Sequence, residues 1–135
     1  MTDLFSRLRP EGWPVPSGYS DGINASGRMV VVSGQVGWDP ETSVFASDNL
    51  VEQTAQALRN IVAVLASGGA EPRHLVRLTW YVVDRAEYIA ARKAIGEAYR
   101  TILGLHYPAM SLVVVAGLLE ERARVEIEAT AVVPG

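Results

Sequence analysis

Tyr107-Pro108-Ala109-Met110-Ser111-Leu112-Val113-Val114-Val115-Ala116 is followed, after a polar loop, by Val125-Glu126-Ile127-Glu128-Ala129. The two stretches predict two kinds of strand. Leu112 to Ala116 is a continuous apolar run, and such a strand is covered on both faces. Ala123 to Val133 alternates, with Val125, Ile127 and Ala129 facing one way and Glu126, Glu128 and Thr130 the other. That period of two marks a half-buried strand. With one layer of helices available, the second cover of the apolar run is most easily another subunit.

Upstream, Leu75 to Val83 reads as a third strand, with Val76, Leu78, Trp80 and Val82 on one side and Arg77, Thr79, Tyr81 and Val83 on the other. Trp80 and Tyr81 are read as sheet packing. Asn49, with Glu52 at the capping-box position, opens a helix whose stripe is Leu50, Thr54, Leu58, Ile61, Val62 and Leu65. Gly68-Gly69 ends it. Asp84 or Arg85 opens a second helix to about Leu103, with Tyr88, Ala91, Ile95, Ala98, Tyr99 and Ile102 as its stripe. Gly96 inside it predicts close packing on the sheet, because a helical glycine costs about 1 kcal/mol relative to alanine. Nearer the start, Ser20 to Asn24 is a short strand, and Met29 to Val32 is a β-branched strand that Gly34 and Gly37 break. Trp38-Asp39-Pro40-Glu41 is a turn. Residues 1–18 carry Pro10, Pro14 and Pro16 and form an extended arm. The order of elements gives an α+β fold in one domain, 1–135, with two helices on one face of a mixed sheet.

Composition narrows the function. The 135 residues carry 12 Lys and Arg against 15 Asp and Glu, a net charge of −3. No basic stripe is present and Lys93 is the sole lysine, which argues against nucleic acid. Cysteine is absent, so disulfides, thiolate metal sites and cysteine nucleophiles are excluded. His74 and His106 lack a third ligand in sequence and are read as loop or surface histidines, so no metal is expected. The start of the chain has no cationic segment before an apolar core, and no apolar run reaches about 18 residues. The expectation is a soluble cytoplasmic protein with no membrane partner.

Six stretches, in order, resemble the signatures of the RidA/YjgF family of reactive-intermediate imine/enamine deaminases, formerly called endoribonuclease L-PSP. They are Gly18-Tyr19-Ser20, Val32-Ser33-Gly34-Gln35, Asp39-Pro40-Glu41-Thr42, Glu52-Gln53-Thr54, Pro108-Ala109 before Ser111, and Val125-Glu126-Ile127-Glu128-Ala129. The resemblance runs from about Tyr19 to Val133. It implies a chorismate-mutase-like fold, three subunits whose sheets form a central barrel, and ligand clefts between neighbours. It also implies hydrolysis of imines and enamines to a keto compound and ammonia with no cofactor, a detoxifying reaction. By resemblance, Glu126 positions the attacking water, Tyr19 lies in the cleft, and Ser33 and Gly34 contact the ligand. Met110 stands where the family's proven deaminases carry the arginine that holds the substrate carboxylate. Arg92 falls near a helix position that is asparagine in the enteric enzymes, and Leu112 replaces a small polar or cysteine residue.

Glu126 is the expected base, since a carboxylate beside apolar strands is desolvated and suited to proton transfer near neutral pH. Glu128 is read as structural. Ser33 has no histidine at motif spacing, so it is a hydrogen-bonding group and not a nucleophile. Tyr19 either orients water or is a half-buried strand-start aromatic. A thioether at 110 cannot pair with a carboxylate, whereas a bidentate arginine contact is among the strongest a small acid can make. Either the substrate is less acidic or more apolar than 2-iminobutyrate, or another cation, with Arg92 the candidate, supplies the grip. The leading expectation is a homotrimeric hydrolase with catalytic Glu126 and Tyr19 and substrate-binding Ser33, Gly34, Met110, Leu112 and Arg92. The rival is a non-catalytic trimer that binds a metabolite. The ribonuclease activity once attached to some relatives is disfavoured by the charge.

Overall fold

Asn49 begins the first helix as expected: its side chain accepts from Glu52 N at 3.0 Å, and α1 runs Leu50–Ser67 in a computed structural model that describes residues 5–135. Leu58, Ile61 and Leu65 are fully buried beneath it. Two buried polar side chains, missed by the hydrophobic reading, lock α1 in place. Gln53 donates to Ser47 O and Arg122 O and accepts from Arg124 N. Asn60 donates to Val36 O and Trp38 O. Each satisfied bond contributes about 1 kcal/mol, and leaving such groups buried without partners costs more.

Asp84 caps the second helix by accepting from Glu87 N, and α2 spans Arg85–Leu103. Both helices lie on one face of a four-stranded sheet. Its strands are β3 (Arg28–Val36), β4 (Leu75–Val82), β5 (Ala109–Val114) and β6 (Val125–Val133). Their order is β3-β6-β4-β5, with β4 and β5 parallel and the other pairs antiparallel. Buried Val125, Ile127, Ala129 and Ala131 of β6 face the helices. Glu126, Glu128 and Thr130 occupy the other face, which neither helix covers.

Three expectations are corrected. β5 begins at Ala109 and ends at Val114, because pairing with β4 starts at Arg77 beside Ala109. Within the chain its cover is one-sided, with Val113 42% and Val114 50% exposed, which leaves a face for the second cover expected from another subunit. Gly34 does not break its strand: β3 passes through it with a bulge between Val32 and Gln35. The arm is not simply extended. Within it β1 (Phe5–Leu8) pairs antiparallel with β2 (Gly22–Ala25); residues 1–4 of the arm lie outside the described residues.

Of the two histidines, His106 lies in a loop as expected and is half-buried, whereas His74 is not a surface group. His74 is buried and its Nδ1 accepts from Glu71 N. His106 Nε2 donates to Leu75 O at 2.7 Å, and its Nδ1 accepts from Arg7 at 3.0 Å. Burial holds the His106 pKa below its ordinary value, and the Arg7 cation adds to this against the opposing bond to Leu75.

Candidate active site

The segment from His106 to Met110 is pinned on several sides. Tyr99 Oη donates to His106 O at 2.6 Å. Ser20 N donates to Pro108 O at 3.0 Å and Ser20 Oγ donates to Tyr107 O. These bonds carry Tyr19 to the outer edge of β5. Between that edge, β4 and α2 opens a cleft of about 850 Å³, within the usual range for a small-molecule site.

Four of the expected site residues line this cleft together: Tyr19, Arg92, Met110 and Leu112. Met110 and Leu112 sit beside Leu78 and Trp80 in the parallel register and share their helix-facing side. The floor is aromatic. Trp80 and Tyr99 stack at 6.4 Å between centroids, and Tyr99 and Tyr107 at 5.1 Å. Trp80 therefore serves both the sheet core and the cleft, and its indole Nε1 has no hydrogen-bond partner among the described residues. Desolvation raises the pKa values of Tyr88 and Tyr99, so both phenols keep their protons at neutral pH and are not bases.

Sequence reasoning missed Arg100 and misread Gly96. Arg92, Gly96 and Arg100 recur every four residues along α2 and all three line the cleft. A Cβ at Gly96 would meet no sheet atom; its sole neighbour within 4 Å is Arg100 Nη1 at 3.3 Å. Gly96 thus faces the cleft and is not pressed against the sheet. The signal that could have found this group was the eight-residue spacing of the two arginines with a glycine midway. Among the described residues no carboxylate lines the cleft, so its lining suits an anion and supplies no carboxylate base.

The remaining expected residues form a second cluster. Ser33 and Gly34 occupy the bulge of β3, and Glu126 of β6 lies against Gly34. A Cβ at Gly34 would stand 2.1 Å from Glu126 Oε2 and 2.7 Å from its Cδ, so the carboxylate rests on bare glycine backbone. Next to it, Tyr81 Oη donates to Glu128 Oε1 at 2.7 Å, which raises the tyrosine pKa. Tyr81 therefore serves the open face of the sheet, and Glu128 is engaged in holding it. Glu126 is partly exposed, so the desolvation expected from sequence is not supplied within one chain. This cluster lies on the face opposite the cleft, and β3 is three strand spacings, about 14 Å, from β5. One chain does not bring the seven residues together.

Among the described residues no three His, Asp or Glu side chains are grouped to hold a metal ion. No helix among them is long and apolar enough to cross a membrane.

Comparison with known proteins agrees with the motif reading. The family model described as Endoribonuclease L-PSP matches residues 14–133. The 2-iminobutanoate/2-iminopropanoate deaminase of Salmonella typhimurium is 36% identical over 130 residues, covering 96% of this chain and 98% of that protein. Reactive Intermediate Deaminase A, chloroplastic, of Arabidopsis thaliana is 34% identical over 113 residues, covering 84% of this chain and 57% of that protein. The crystal structure of YyfB from Yersinia pestis, a protein of unknown function of the conserved Rid family, superposes with a TM-score of 0.84 at 33% identity. It covers 96% of this chain and 98% of that one. With a family match across most of its length and relatives at this identity, the chain belongs to the RidA/YjgF (endoribonuclease L-PSP) family.

Proposed function

We propose that this chain is a cofactor-independent imine/enamine hydrolase of the cytoplasm, acting in a cleft completed between subunits of a homotrimer. The observation that carries this reading is the division of labour within one chain. The cleft beside β5 has cations and an apolar floor but no base. The cluster on β3 and β6 has a carboxylate, outside that cleft. Both β3 and β5 are edges of the sheet, and both carry exposed apolar side chains: Met29 and Val31 at 66% and 68%, Val113 and Val114 at 42% and 50%. Unpaired, apolar edges favour association. An interface joining one chain's β3 side to its neighbour's β5 side would cover them, desolvate Glu126 and join the two half-sites.

In the joined site Glu126 takes a proton from a water molecule as its oxygen adds to the carbon of the protonated imine, whose C=N electron pair moves onto nitrogen. The resulting amino alcohol then collapses to a ketone: the carboxyl group returns its proton to the departing nitrogen, the C–N bond breaks, and the hydroxyl proton leaves with the nitrogen as ammonium. Gly34 N–H, the Ser33 hydroxyl and Tyr19 hold the substrate, while Met110 and Leu112 form an apolar wall. Because Met110 is uncharged, the substrate is not one of the usual small 2-imino acids but a more apolar molecule. The same methionine supports a second reading, a trimer that binds a metabolite without turning it over.

The test is loss of freshly generated 2-imino compounds, followed by semicarbazide trapping, with wild type, Glu126→Gln and Met110→Arg. Turnover abolished by Glu126→Gln supports the proposal. Activity only in Met110→Arg means that the scaffold is competent and the natural substrate differs. Silence of wild type and Met110→Arg, or turnover that survives Glu126→Gln, overturns the mechanism. Light scattering that gives a monomer overturns the trimer.

A further inference from the structure

The helix α2 crosses the cleft with two arginines that have no carboxylate partner among the described residues. Arg92 and Arg100 are two turns apart, about 12 Å along the axis. Their side chains need not be that far apart. Helical side chains lean toward the N-terminus, and Arg100 Nη1 stands 3.3 Å from the Cβ position of Gly96. Its guanidinium therefore lies across Gly96, one turn closer to Arg92. Gly96 supplies the missing side chain that leaves this notch open. Beneath it lie the rings of Trp80 and Tyr99.

We infer that Arg92 and Arg100, astride Gly96, form an anion clamp that replaces the carboxylate grip missing at Met110. The ligand is an acid whose apolar body, aromatic or branched, lies against the half-buried Tyr107, Met110 and Leu112, above the buried Trp80 and Tyr99 rings. This inference deepens the proposed function and rests on it for the reaction, but not for the binding. With the anion held on α2 instead of on β5, a longer molecule is needed to span from the clamp to a neighbour's Glu126. Guanidinium groups are suited to such a clamp, since they present paired donors to a carboxylate and stay charged. A small, wholly polar ligand would leave the partly exposed Tyr107, Met110 and Leu112 uncovered.

The probe is phenylpyruvate, a stable keto acid with an aromatic body, alongside its methyl ester and 2-oxobutyrate. Binding is read from the fluorescence of Trp80 in a Trp13→Phe, Trp38→Phe background. Wild type should bind phenylpyruvate at least tenfold more tightly than the ester or 2-oxobutyrate. Arg92→Ala and Arg100→Ala should each weaken the acid about tenfold or more, leave the ester unchanged and be partly rescued by lysine. Equal binding of acid and ester, acid binding that survives both alanine substitutions, or no binding by wild type overturns the clamp. Clamp-dependent binding without any imine hydrolysis would leave the clamp standing and remove the proposed reaction. Hydrolysis indifferent to both arginines would do the reverse.

Discussion

Gly34→Ala tests whether the placement of the Glu126 carboxylate, and not its mere presence, sets the rate. The new Cβ would lie 2.1 Å from Oε2, 2.7 Å from Cδ and 3.0 Å from Cγ of Glu126. Ordinary contact is near 3.5 Å, so the oxygen must retreat by about 1.4 Å. The glutamate is partly exposed and can swing into another rotamer at a cost of about 1 kcal/mol. For a domain of this size that is a fall in Tm of roughly 3–5 °C. A displacement of an ångström at a reacting group costs on the order of 100-fold in rate. The expected result is therefore a well-folded protein with kcat for imine hydrolysis reduced about 100-fold. In a Glu126→Gln background the same alanine should cost almost nothing further, because the group it displaces is already disabled. Full activity in Gly34→Ala would refute the reasoning, as would an equal further loss in the Glu126→Gln background.

Other expectations follow from the same geometry. Gly37→Ala would place a Cβ 2.4 Å from Gln53 O and 2.5 Å from Gln53 Cα. Helix backbone cannot yield as a side chain can, so stability should fall by about 3 kcal/mol and Tm by roughly 10 °C; a melting curve unchanged within 2 °C, roughly half a kcal/mol, would contradict it. Gly96→Ala should raise Tm by about 2–4 °C, since the helix gains up to about 1 kcal/mol and the new methyl meets only a flexible arginine end. A lower Tm would mean that Gly96 is packed tightly after all. His106 has a folded-state pKa below its unfolded value, mainly through burial. The unfolded chain therefore binds the proton more readily, and stability declines as pH falls below about 6.5. Urea unfolding from pH 7.5 to 5.5 should show that decline, with a shallower slope in His106→Gln; identical slopes would count against it.

Much of this fold is written locally. Asn49 and Asp84 cap helices through their own side chains, so each helix start can be read from a few residues. The alternation of Val125 to Val133 fixes its buried face in the same way. What escaped depends on partners distant in sequence. The bulge at Gly34 is a shift in how β3 pairs with β6, a strand far along the sequence, and an isolated glycine reads equally well as a strand break. β5 starts at Ala109 because β4 offers a parallel partner there, although Pro108 and Met110 look like loop. Among the site residues, the cleft group of Tyr19, Arg92, Met110 and Leu112 came together, while Ser33, Gly34 and Glu126 stand apart. Motif order along the chain does not reveal which surface each motif occupies. Arg100 went unseen because the rotation of α2 about its axis is set by the packing of Ile95, Tyr99 and Leu103.

Parallel strands cannot be joined by a tight turn, and α2 is the crossover that β4 and β5 require. The cleft's aromatic floor, its apolar wall and both arginines consequently belong to one unbroken stretch, residues 75–114. The Glu126 carboxylate and its glycine seat lie wholly outside it, in β3 and β6. In the proposed reading, the wall and the clamp are therefore encoded apart from the group that would act on the substrate. A relative could exchange this one stretch and alter what its cleft accepts while leaving Glu126 and Gly34 untouched.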